Sequence, residues 1–209
     1  MSDSKIESQP LPAVALHWVH LLSMALLLVS GWYIHSPFFE GGMGLMRYIH
    51  FISMYVVILI LVIRVYWAFF GAQADFHDFA VYQQENRGKF IPTLTYYMFL
   101  RKEHPATGKY NPLQKITYLI WPVLIILQAL TGFALYSGDI FGLSPLYAPR
   151  AMSWLVDICG GLANVRTIHY LIMWVFILSV GIHIYLALAE DIKEFAPMFL
   201  GARAKEKKG

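Results

Sequence analysis

Four long apolar runs divide the chain. The fourth, residues 165–188, carries no Lys, Arg, Asp or Glu from Thr167 to Ala189, a stretch long enough to cross a bilayer as a helix. The first lies at 11–34, and no charged residue occurs from Leu11 to Phe39. The second and third fall at 47–70 and 116–137. Trp18 at one end of the first run, and Trp32 with Tyr33 at the other, suit the aromatic belts of a membrane interface. Pro37 and the glycines after it close the first helix. Pro122 lies inside the third run, where it removes a backbone donor and predicts a kink. Between the second and third runs, residues 90–100 are apolar but too short to span and predict a helix along the interface. Residues 149–162 have the amphipathic pattern of a short surface helix.

Composition agrees with this reading. The 209 residues are 58% hydrophobic, 16% aromatic and only 14% charged, which places the chain among integral membrane proteins. The net charge of +3 is small, and the basic residues flank hydrophobic runs, so nucleic acid is excluded as an expected partner. The single cysteine, Cys159, cannot make an internal disulfide, a CxxC metal site or the covalent attachment of a c-type heme. A redox centre in this chain must therefore be held by other ligands. The N-terminal MSDSKIESQP has no basic n-region and reads as a polar tail before the first span. Of the 16 Lys and Arg residues, 12 fall in the two tails and the 71–115 segment, so the positive-inside rule places both termini in the cytoplasm.

Orientation sets the depth of each histidine. His169 and His183 are 14 residues apart on the fourth span, about 3.9 turns and ~21 Å, so they leave nearly one face near opposite membrane surfaces. His50 begins the second span near the outer side. His17 begins the first span at the cytoplasmic side, and His20 lies one turn deeper on nearly the same face. Ionisable groups inside a span mark function, because lipid offers them no hydrogen bonds. The depths pair His50 with His169, and His183 with the first-span histidines, of which spacing alone allows either His17 or His20. Such pairs would ligate two stacked b-type hemes, and bis-histidine ligation favours electron transfer over oxygen chemistry. The expected fold is an all-α membrane four-helix bundle over residues 1–209 as one cytochrome b domain, with short extramembrane amphipathic helices. Arg47 and Arg166 each precede an outer histidine by three residues, one turn outward, where a heme propionate would meet a guanidinium. Arg64 stands 14 residues after His50 and suits the same task at the other surface. Gly31, and Gly132 beside Thr131, are small positions that admit either a flat ring or a neighbouring helix. His35, His77 and His104 read as surface residues. A heme-free transporter or anchor using histidines for protons is the reading from a different class.

The stretches LHWVH (16–20), MRYIHF (46–51), RVYWAFFG (64–71), KYNPLQK (109–115), TGFALYS (131–137), IHYLIMW (168–174) and HIYLALAEDI (183–192), in this order, make the chain similar to the b-type cytochrome subunits of membrane-bound nickel–iron hydrogenases. That group is related to the gamma subunit of formate dehydrogenase and to bacterial cytochromes b561. The resemblance implies His17, His50, His169 and His183 as axial ligands, and prefers His17 over His20 because the family histidine precedes a tryptophan, as His17 precedes Trp18. Val14 departs from the pattern, since the family usually has arginine there, and a propionate contact at that position is not carried over. The resemblance further implies two hemes b and a location in the bacterial inner membrane. The partners it implies are a periplasmic hydrogenase with an iron–sulfur small subunit and a nickel–iron large subunit. The electron acceptor would be a membrane quinone, menaquinone or ubiquinone. Its quinone position points to Asn111, with Gln114, Lys115 and His20 as further candidates; Asn111 before Pro112 also reads as a helix N-cap. The chain has no catalytic residue of its own for hydrogen in this reading and acts as an electron-transfer subunit. Formate dehydrogenase or thiosulfate reductase would use a similar subunit.

Overall fold

The computed structural model describes residues 11–70, 88–103, 105, 112–136 and 152–189. Every regular element among them is an α-helix. In chain order these are α1 (Leu11–His35), α2 (Met43–Phe70), α3 (Phe90–Tyr97), α4 (Pro112–Leu135), α5 (Ser153–Cys159) and α6 (Leu162–Ala189). α1, α2, α4 and α6 are each long and apolar enough to cross a membrane. Their apolar side chains are widely exposed, Leu22 at 62% and Leu178 at 66% for example. That exposure suits lipid, which is as apolar as the side chains that meet it.

The helix ends differ from the apolar runs for local reasons. α2 begins four residues before Arg47 because the preceding loop is closed tightly. Gly41 takes a positive φ of 77°, a conformation that costs glycine little, and Met46 N–H then bonds the Gly42 carbonyl at 2.9 Å. Tyr33, only 1% exposed, donates its hydroxyl to the Phe39 carbonyl and pins the same loop. α4 starts at Pro112, whose fixed φ and missing N–H suit a first helical turn. It runs without interruption through Pro122 and closes with Tyr136 N–H on the Phe133 carbonyl at 3.3 Å. α6 starts at Leu162, three residues before the run that predicts it, because Gly160 (φ 76°) and Gly161 (φ 119°) reverse the chain after α5. Gly161 N–H bonds the Val156 carbonyl at 2.8 Å, and Asn164 Nδ2 bonds the Cys159 carbonyl at 2.7 Å. Two of the last carbonyls of α5, those of Val156 and Cys159, are thereby satisfied. Of the surface helix expected over residues 149–162, the described part is helical at Ser153–Cys159, Leu162 already belongs to α6, and 149–151 lie outside the described residues.

The chain forms two compact units. One comprises Met1–Ile60 with Ile177–Gly209, the other Leu61–Phe176. In the first, Met24, Tyr33, Met54, Val57 and Ile60 are buried, with the small polar side chains Ser23, Ser30 and Ser53 among the buried residues. In the second, α3 and α5 both pack on α4. Thr93, Tyr97 and Lys115 are buried there, as are Ile125, Thr131, Ala134, Val165, Met173 and Phe176.

The loop between α1 and α2 is close-packed at one point. A Cβ on Gly42 would collide with the Phe39 ring and lie 2.8 Å from the Tyr33 hydroxyl, whereas a Cβ on Gly44 would meet nothing within 4 Å. Gly42→Ala is expected to destabilise the protein by about 1–3 kcal/mol through overpacking. Gly44→Ala, within α2, should be neutral or stabilising by up to ~1 kcal/mol. Thermal unfolding of the two variants in detergent checks this, and equal midpoints would contradict it.

Candidate functional site: two buffered imidazoles

A histidine inside an apolar helix must find its hydrogen bonds on neighbouring helices. His50, in the second turn of α2, finds one on α1. Its Nδ1 lies 3.0 Å from Ser30 Oγ. Ser30 in turn donates its hydroxyl to the Leu26 carbonyl four residues back, with the Leu27 carbonyl at 3.3 Å. Back-bonding of this kind is how a serine is accommodated within a helix. A hydroxyl has one proton. With that proton on a backbone carbonyl, Ser30 Oγ meets Nδ1 as an acceptor, so Nδ1 carries the hydrogen and Nε2 keeps its lone pair.

Gly31 makes the approach possible. A Cβ there would lie 3.2 Å from His50 Cε1 and 3.6 Å from Nδ1. The ring that lies beside this glycine is the imidazole of His50.

The second unit repeats the arrangement with different helices. His169 on α6 has its Nδ1 2.8 Å from Thr131 Oγ1 on α4. Thr131 lies 2.8 Å from the Leu127 carbonyl and 3.0 Å from that of Gln128. The same proton count puts the hydrogen on His169 Nδ1. Gln128 confirms it from the other side of the ring, since its Nε2 stands 3.2 Å from His169 Nε2 and 3.2 Å from the His169 carbonyl. An amide N–H is a donor only, so it faces the lone pair of Nε2. The Gln128 Oε1 is buried without a hydrogen-bond partner among the described residues.

The first-span histidines differ. His17 lies within electrostatic reach of His183, and His20 within reach of His17. The Nδ1 atoms of His17 and His20 are both buried and unpartnered among the described residues. His183 is exposed in the isolated chain. Arg47 and Arg166 are exposed and Arg64 half-buried, and His35 is exposed.

Of the quinone candidates, Asn111 lies outside the described residues, as do the side chain of Gln114 and the surface residues His77 and His104. Lys115 is 1% exposed on the first turn of α4, in the unit that holds the buried Thr93 and Tyr97 of α3. Its burial was not expected from a basic residue at a span edge.

Three polar residues had escaped the sequence reading in these roles. Thr131 had counted only as a small position, and Ser30 and Gln128 had not been singled out. A usable signal existed: Ser30-Gly31 and Thr131-Gly132 are the same hydroxyl–glycine pair placed late in two different spans. Gln128 is an amide in the middle of a third-span run that is otherwise almost wholly apolar, and such a group implies a partner on another helix.

Apolar helices of spanning length that carry imidazoles hydrogen-bonded from helix to helix suit a membrane cytochrome of the b type. The prokaryotic cytochrome b561 family model matches residues 8–201, and the chain belongs to that family. Among similar proteins is one from Rhizobium leguminosarum bv. viciae named "Probable Ni/Fe-hydrogenase B-type cytochrome subunit", 32% identical over 187 residues, covering 84% of this chain and 77% of that protein. The Azotobacter vinelandii protein of the same name is 32% identical with the same coverage. From Escherichia coli strain K12, the "Probable Ni/Fe-hydrogenase 1 B-type cytochrome subunit" is 29% identical over 188 residues, 84% of this chain and 79% of that protein.

The residues fit heme b. His50 and His169 each have Nδ1 held by a hydroxyl of another helix, as an imidazole that ligates through Nε2 requires, and His17 supplies a buried nitrogen without a hydrogen-bond partner among the described residues. The space beside Gly31 bears on this directly. Gly31→Leu should drive the His50 imidazole from its seat and lower the heme-to-protein absorbance ratio at least severalfold, while Gly31→Ala, whose Cβ needs a shift of only a few tenths of an ångström, should retain most of it. Full heme content in Gly31→Leu would mean that the glycine does not set the position of His50.

Proposed function

We propose that this chain is the membrane electron-transfer subunit of a nickel–iron hydrogenase, passing electrons from the iron–sulfur subunit of that enzyme to a membrane quinone. The observation that carries the proposal is that His50 and His169, inside apolar helices of spanning length, each have Nδ1 against a buried hydroxyl of another helix, Ser30 Oγ at 3.0 Å and Thr131 Oγ1 at 2.8 Å, an arrangement that orients an imidazole for ligation through Nε2. The names of the relatives supply the hydrogenase partner.

The ligand sets in this proposal are His50 with His169 for an outer heme and His17 with His183 for an inner one. Heme b supplies a reversible one-electron couple at each position. The protein's part is to hold the four imidazoles, to neutralise propionates through Arg47 and Arg166 outside and Arg64 inside, and to keep water from the ligand nitrogens. Gly31 and Gly132 keep the helix surfaces low beside the outer ligands. His169 would serve as a ligand through Nε2 only with the Gln128 amide turned from that nitrogen, its contact to the His169 carbonyl remaining open to it. The site for quinone is assigned to the cytoplasmic end, with Asn111, Gln114, Lys115 and His20 as its residues. In this proposal the four spans have both termini in the cytoplasm, and the hydrogenase subunits sit on the periplasmic side of the inner membrane.

Heme b per polypeptide, measured by pyridine hemochrome on the wild type, His17→Ala and His50→Ala, tests the ligand sets. Two hemes falling to one in each variant are expected. One heme lost only in His50→Ala would remove the inner site, and a colourless wild type would sink the electron-transfer reading altogether.

Direction is tested separately. The purified complex in liposomes, given hydrogen and quinone, is expected to build a membrane potential, because protons are released on one side and taken up on the other. Quinone reduction without a potential would overturn the assignment of quinone to the cytoplasmic end.

A further inference from the structure

Two hydroxyls in separate compact units make the same contact. Ser30 on α1 and Thr131 on α4 each sit against the Nδ1 of a histidine on another helix, at 3.0 and 2.8 Å. Each is itself bonded to carbonyls three and four residues back on its own helix. Both hydroxyl residues are buried, Ser30 at 1% and Thr131 at 4% exposure. Water therefore does not compete for either bond, and a low local dielectric strengthens it.

We infer that Ser30 and Thr131 are positioning residues that hold His50 and His169 in the Nδ1–H tautomer and set the reduction potential of the iron those histidines bind. The inference rests on the proposed ligand set and goes beyond it by naming the groups that tune it. The physical chain is short. A hydroxyl whose proton is committed to a backbone carbonyl offers the imidazole a lone pair only. The Nδ1–H donates into it, electron density shifts toward Nε2, and the imidazole becomes a more basic ligand. A more basic ligand favours ferric over ferrous iron and lowers the potential. Both partners are on rigid helices, so the ring plane is fixed together with the tautomer. The Gln128 amide donating to His169 Nε2 is compatible with this tautomer alone.

Ser30→Ala and Thr131→Val remove the acceptor and keep most of the volume. In the heme-loaded full-length protein, each is expected to raise the midpoint potential of the heme bound by its histidine. The ferric-to-ferrous preference should fall about three- to tenfold, which is about 30–60 mV at 59 mV per decade for one electron. The conservative variants Ser30→Thr and Thr131→Ser keep a back-bonded hydroxyl and should restore the wild-type potential, a rescue that a packing role alone would not show. Spectroelectrochemical titration reads the potentials.

A second measurement needs no variant. Pulsed EPR of the ferric wild type, labelled with nitrogen-15 histidine in one sample and unlabelled in another, reports the quadrupole coupling of the remote imidazole nitrogen. That coupling is expected to be reduced, as for a hydrogen-bonded N–H. Heme present with a coupling typical of an unbonded N–H would overturn the inference while leaving the ligand set intact, and so would potentials unchanged in Ser30→Ala and Thr131→Val. Absence of heme from the wild type would instead overturn the ligand set on which the inference stands.

Discussion

A hydroxyl that has given its only proton to a backbone carbonyl has nothing left but lone pairs, and an imidazole can meet it only through an N–H. This constraint orders the chemistry of the chain. In water, the two tautomers of histidine are easily exchanged and solvent satisfies either nitrogen. Within an apolar helix neither option is cheap, because an unsatisfied polar group buried in hydrocarbon costs several kcal/mol. Ser30 and Thr131 resolve the matter for one nitrogen of each ring, the Nδ1 of His50 and of His169. Packing follows from that contact. Gly31 leaves the His50 ring close beside the α1 backbone, where even a Cβ would lie 3.2 Å from Cε1.

The same logic separates His50 and His169 from the histidines of α1. His50 and His169 are organised before any ligand arrives. His17 and His20 keep buried Nδ1 atoms with no partner among the described residues.

Glycine serves two different ends in this fold. Gly41, Gly160 and Gly161 adopt positive φ and turn the chain sharply between helices. Gly31 and Gly42 are used for close approach instead, one beneath an imidazole and the other beneath Phe39 and Tyr33. The turn glycines explain why α2 and α6 begin before the apolar runs that predict them: a helix can start as soon as the reversal is complete, whether or not its first residues face lipid. The edges of an apolar run mark hydrocarbon, and the edges of a helix mark hydrogen bonding, so the two need not coincide.

The sequence by itself determined the helical class, the four spanning-length segments, the histidines and the family. Each of these depends on the order of residues alone: uninterrupted apolar length dictates helix in lipid, and motif order carries the resemblance. Spacing along one helix was also sufficient to separate His169 from His183 by depth. Only the tertiary structure decided which nitrogen of His50 and His169 is protonated, because that depends on Ser30, 20 residues from His50, and Thr131, 38 residues from His169, each on another helix. It likewise decided that the ring beside Gly31 is an imidazole, that Gln128 faces His169, and that Lys115 is buried. A hydrogen bond between helices is a matter of distance and angle in space, and a one-dimensional pattern records the presence of the donors and acceptors without recording which of them meet.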